Sequence, residues 1–106
     1  MIHVIATIRA VPSRRDELLA VFRDLIPTVR SEGGCIEYGP AVDLGDVVEG
    51  QSAARPDTVT VVEKWQDVAS LRQHLASPHM RRFRETVKEL VSALEIRVLE
   101  PAEGIS

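Results

Sequence analysis

Thr58-Val59-Thr60-Val61-Val62-Glu63-Lys64-Trp65 is the stretch that decides the fold. It is dense in β-branched residues and closes on an aromatic, the composition of a strand packed on a pleated surface. Side chains alternate along a strand, so Val59, Val61, Glu63 and Trp65 share one face and Thr60, Val62 and Lys64 the other. Valine on both faces predicts a sheet that needs cover on both sides.

Residues 45–57, before this strand, form a long polar connection with Gly45, Gly50 and Pro56. Cys35–Leu44 reads as a second strand, and Gly39-Pro40 within it fits an edge or a bulge. Ile2–Val11 reads as the first strand, with Ile2, Val4, Ala6 and Ile8 opposite His3, Ile5, Thr7 and Arg9; Pro12 ends it. Ser13, with Asp16 three residues on, predicts a capped helix start. Leu18, Phe22, Leu25 and Val29 then mark one helical stripe, with a kink or break expected at Pro27 and a stop at Gly33-Gly34. After Trp65, Asp67 caps a short helix whose inner face is expected to hold Leu71, His74 and Leu75. Ser77-Pro78 restarts helical structure, with a stripe of Met80, Phe83, Val87, Leu90 and Leu94. Glu95–Leu99 reads as the last strand and Pro101 onward as a tail.

The order is β-α-β-β-α-β, predicting a single α+β domain over residues 1–106 of ferredoxin-like topology: a four-stranded antiparallel sheet with helices on one face. Nothing left in the chain covers the other face, so a homodimer is expected. A net charge of −3 lacks the basic surface of a nucleic-acid binder. The single cysteine, Cys35, excludes an intrachain disulfide and a cysteine-metal cluster, and fits a reducing compartment. No stretch has transmembrane length and the N-terminus lacks signal-peptide character, so no membrane association and a cytoplasmic location are expected.

Several short motifs, taken in order, resemble a known family. Glu32-Gly33-Gly34-Cys35-Ile36-Glu37-Tyr38 is similar to its E-x-G-C-x-x-Y opening of the second strand. Glu63-Lys64-Trp65, then Leu71-Arg72-Gln73-His74 and Ser77-Pro78-His79, resemble its E-x-W and H-x-x-S-x-H segments. These identify a member of the antibiotic biosynthesis monooxygenase domain family, of the dimeric α/β-barrel superfamily, with the resemblance running from about residue 2 to residue 99. It implies a dimer whose sheets pack face to face and a pocket between sheet and helices. The family includes cofactor-free oxygenases of phenolic, anthrone or quinol substrates, haem-degrading enzymes and a signal-molecule isomerase. The haem-degrading branch places its proximal histidine where this chain has Arg84, which argues against that branch. The 45–57 connection is longer than the family's usual turn.

A cofactor-free oxygenase needs a base of near-neutral pKa, an apolar cavity and donors for developing negative charge. His74 is the first candidate base, one helical turn from Leu71, with Glu63 as its expected catalytic partner. A core histidine, and a strand-fixing ion pair of Glu63 with His74 or an arginine, are the plain structural alternatives. Trp65, Tyr38, His79 and Phe83 are the candidate substrate-binding residues, each also readable as packing or rim. Arg81, Arg82 and Arg84 read as a solvated face that could meet an anionic substrate, and Cys35 as a small buried residue. The chain has no dinucleotide fingerprint or P-loop, so no cofactor is expected. No metal is expected either, because His74 and His79 are five residues apart across Pro78 and do not form a helical i, i+4 pair. The leading expectation is a cofactor-independent monooxygenase taking dioxygen and a small quinol-like molecule. An isomerase on the same scaffold and a non-catalytic small-molecule-binding dimer are its rivals.

Overall fold

The computed structural model describes residues 1–104. Elements follow the expected order: β1 (Ile2–Ala10), α1 (Arg15–Arg30), β2 (Cys35–Ala41), β3 (Thr58–Trp65), α2 (Val68–Ala76), α3 (Pro78–Val87) and β4 (Val91–Leu99), then a 3-10 turn at Ala102–Gly104. The four strands are antiparallel in the order β2-β3-β1-β4, with Val4 opposite Glu63 and Ala6 opposite both Val61 and Ile96. This is the ferredoxin-like α+β arrangement. β2 is an edge strand, as its Gly39-Pro40 suggested; its pairing shifts between Cys35 and Glu37, while Gly39 and Pro40 themselves pair in register with Val62 and Val61.

One face of the sheet carries Val4, Ala6, Ile8, Val59, Val61 and Trp65, all buried beneath the helices. Leu18, Phe22, Leu25 and Val29 of α1, with Met80, Phe83 and Val87 of α3, close the core from above. The cover stops short of β4: Leu94, Ile96 and Val98 lie on the helix side of the sheet yet remain about half exposed. The opposite sheet face is mixed, with Ile5, Thr7 and Val62 among Arg9, Lys64, Glu95 and Arg97.

Four local expectations are corrected. Ser13 does not cap α1: it adopts φ +71° in a tight turn, its backbone N–H donates to Asp57 Oδ1 at 3.2 Å, and the helix starts two residues later without a side-chain cap. Pro27 does not break α1, which runs continuously from Arg15 to Arg30; Arg23 and Pro27 are both exposed, so the carbonyl left without a donor faces water. β2 stops at Ala41 rather than Leu44. The last stripe does not extend to Leu94, because α3 ends at Val87, the Leu90 N–H donates to the Val87 carbonyl in a turn, and β4 already begins at Val91. The caps at Asp67 and Ser77 form as expected, accepting from the backbone of Ser70 and Met80.

Candidate active site

Glycine places the site. Gly34 has φ +84°, and a Cβ there would sit 2.1 Å from Ser70 Oγ. The α1–β2 turn therefore lies directly against the first turn of α2, tied further by the Gln66 N–H donating to the Gly34 carbonyl at 2.8 Å. This contact carries Glu32, just beyond the end of α1, to the helices that bear His74 and His79.

His74 is 1% exposed, on the inner face of α2. Its ring lies 4.5 Å from the Trp65 ring and edge-on to Tyr38 at 5.6 Å. Nδ1 is 2.7 Å from Glu32 Oε2, and because the carboxylate accepts, Nδ1 carries the proton and Nε2 the lone pair. His79, on the first turn of α3, donates its Nε2–H to the same oxygen at 3.1 Å. Burial lowers the His74 pKa, against the opposing pull of the Glu32 hydrogen bond and charge, so the neutral ring is favoured at neutral pH.

Glu63 occupies the middle of the sheet, between Tyr38 on β2 and Val4 on β1. The expected Glu63–His74 pair is not the one that forms: Glu63 Oε1 accepts from the Trp65 indole at 2.8 Å, and Glu32 is the carboxylate that holds His74. Burial raises the Glu63 carboxyl to about 7; the Trp65 N–H opposes the rise and the Glu32 charge adds to it. Burial likewise pushes the Tyr38 hydroxyl up, keeping it a neutral donor.

These groups meet at an apolar cavity of about 100 Å³ between the sheet and α2–α3. Phe22, Tyr38, Glu63, His74 and Phe83 line it, with Arg84 at its rim and Leu94 and Ile96 along its open side. Trp65 and His79 do not line it: Trp65 is fully buried behind His74, and His79 reaches Glu32 from the groove between α1 and α3. Leu75, expected inward, does line the cavity but stays 38% exposed, on its open side. No residue of the 42–57 connection lines the cavity. A wider hollow of about 510 Å³ beneath that connection is lined by Asp43, Gln51 and Arg55, which are already bonded to the connection itself. Cys35 is half-buried and burial raises its thiol, so it is a packing residue rather than a nucleophile.

Sequence reasoning missed Glu32 and the place of Arg84. Glu32 was visible as part of a motif, but only the fold brings it across 42 residues to His74. It also brings together the two histidines that spacing had separated.

The family model for antibiotic biosynthesis monooxygenase matches residues 1–86. The chain belongs to the antibiotic biosynthesis monooxygenase family. The chain is 42% identical over 103 residues to "Probable quinol monooxygenase YgiN" of Escherichia coli, covering 95% of this chain and 98% of that one. Among solved structures, PA3566 from Pseudomonas aeruginosa superposes with a TM-score of 0.78 at 28% identity, covering 94% of this chain and 92% of that one. A conserved protein from Methanosarcina mazei gives a TM-score of 0.79 at 28% identity, covering 93% and 90%. A monooxygenase role, and hence an oxidoreductase, follows at the level of this antibiotic biosynthesis monooxygenase family. No helix among the described residues is long and apolar enough to cross a membrane.

Proposed function

We propose that the chain is a cofactor-independent monooxygenase of a small quinol-like aromatic, working as a homodimer in the cytoplasm. The observation that carries this reading is the 2.7 Å contact between His74 Nδ1 and Glu32 Oε2, from which the tautomer follows. With Nδ1–H committed to Glu32, the unprotonated Nε2 is left to a ring that lines an apolar cavity. It takes the proton from a substrate hydroxyl, and the resulting electron-rich anion gives an electron to dioxygen. Recombination and O–O cleavage put one oxygen atom on the ring and the other into water; the quinol leaves as a hydroxyquinone, its two electrons having supplied the reduction. Arg84 at the rim and the Tyr38 hydroxyl are the donors for the developing negative charge. Glu63, poised to hold or release a proton near neutrality, is the second acid–base group. Phe22 and Phe83, with ring centres 4.7 Å apart, offer flat surface to an aromatic ring.

The name of the Escherichia coli relative supports the substrate class. The half-exposed Leu94, Ile96 and Val98 beside the open side of the cavity support a partner subunit there. The lone free cysteine supports the cytoplasmic setting. Oxygen uptake with a panel of reduced naphthoquinones and anthrones tests the proposal. The expected result is uptake above autoxidation, one molecule per quinol, with one atom of labelled dioxygen in the product. Uptake no faster than autoxidation across the panel overturns it, and substrate conversion without oxygen uptake directs the scaffold to isomerase chemistry.

A further inference from the structure

Glu32, His74 and His79 come from three different segments: the end of α1, the inner face of α2 and the first turn of α3. They offer a carboxylate oxygen and two imidazole nitrogens that all lie within 4.8 Å of one another. We propose that this cluster is a binding site for a divalent first-row transition ion of the zinc class.

The geometry is near that of a metal site already. Tetrahedral zinc bonds of about 2.0–2.2 Å to nitrogen and oxygen put neighbouring ligand atoms about 3.3–3.6 Å apart. Two of the three edges are 2.7 Å and 3.1 Å, both through Glu32 Oε2, so these short edges need only open by a few tenths of an ångström to just under one. Closing the remaining edge requires movement of His79, whose side chain is 18% exposed, while His74 at 1% stays fixed by Trp65 and Tyr38. The donor set is selective. Two imidazoles and one carboxylate suit zinc, cobalt and nickel, whereas magnesium and calcium prefer an all-oxygen shell. An entry path exists on the His79 side, through the groove that Asp24, Thr28, His79 and Arg82 line between α1 and α3. Solvent in that groove completes the coordination shell.

The site lies behind His74, away from the cavity, and its ligand atom there is Nδ1 rather than Nε2. A metal on Nδ1 leaves the ring proton on Nε2 and turns the ring toward the cavity from an acceptor into a donor. The ion and the base role of His74 therefore exclude each other, which makes the site an off-position for the reaction proposed above and not a cofactor site for it.

Binding is measured directly, so the outcome does not depend on turnover. Chelator-stripped, tag-free protein is titrated with Zn²⁺ by calorimetry and with Co²⁺ by visible absorption. The expected result is one ion per chain, ligand-field bands for cobalt, and no competition from Mg²⁺. His79→Ala and Glu32→Gln are each expected to weaken Zn²⁺ roughly tenfold or more, while His3→Ala, on β1 away from the cluster, leaves it unchanged. His79→Ala removes a part-exposed side chain and spares the fold, which a thermal melt verifies. A folded wild type that takes up no Zn²⁺ at millimolar concentration overturns the proposal. So does an affinity that His79→Ala leaves intact.

Discussion

Replacing Glu63 by glutamine isolates the electrostatic state of the cavity. Glutamine has the shape of the protonated carboxyl and can still accept the Trp65 indole N–H. The wild-type side chain is 6% exposed, and burial raises its pKa from 4.5 to about 7. The folded state therefore keeps a proton that the unfolded chain has lost. Such a group adds its full contribution to stability below about pH 4.5, and that contribution is lost as the pH rises through about 7. The span between the two values corresponds to roughly 3 kcal/mol. Wild type and Glu63→Gln are thus expected to have similar stability near pH 5, within about 1 kcal/mol. By about pH 8.5 the variant should be the more stable by roughly 3 kcal/mol. Urea unfolding followed by Trp65 fluorescence across this range gives the difference, and other titrating groups cancel because both proteins carry them. A difference that stays constant with pH refutes the claim that Glu63 is buried at a cost to its charged form.

His74→Gln is expected to lower turnover by roughly 10²–10⁴-fold while the thermal melt stays close to wild type; a folded variant with near-normal turnover removes His74 as the base. Because the His74 pKa lies below the usual 6.5, the acid limb of the wild-type rate profile is expected below that pH, and a limb above it contradicts the assignment. Gly34→Ala is expected to destabilise by more than about 1 kcal/mol, combining a left-handed backbone with the clash on Ser70, and Ser70→Gly in the same chain should return only the steric part; an undisturbed Gly34→Ala melt refutes the close approach. Sedimentation at micromolar concentration is expected to report about twice 11.7 kDa, and a clean monomer would leave the β4 stripe without its proposed cover.

What the chain disclosed by itself followed physical strength. Thr58–Trp65 was readable to the residue because β-branching and alternation agree there, and Asp67 and Ser77 were readable because each cap is a local, four-residue event. The end of α3 was not, because Val87, Leu90 and Leu94 fall at spacings of three and four by coincidence while Leu94, Ile96 and Val98 obey the strand period. Ser13 misled in the same way: its usual capping role lost to a turn in which its backbone binds Asp57, 44 residues away. For the site, the inward placement of His74 was local and legible. Its partner was not, since helical spacing says nothing about a carboxylate on a neighbouring helix end, and Glu63 satisfied itself two residues along its own strand.

The 42–57 connection has a use outside the chemistry. Its two ends are pinned where Ala41 pairs with Thr60, and Asp43 and Arg55 clasp its base through two side-chain contacts at 2.8 and 3.0 Å. Nothing between them reaches the cavity. Loop entropy grows only slowly with length, so this hairpin arm can lengthen, shorten or change composition at little thermodynamic cost. It is therefore the first place to splice in a reporter peptide or an affinity handle, with the cavity beside His74 left as it was.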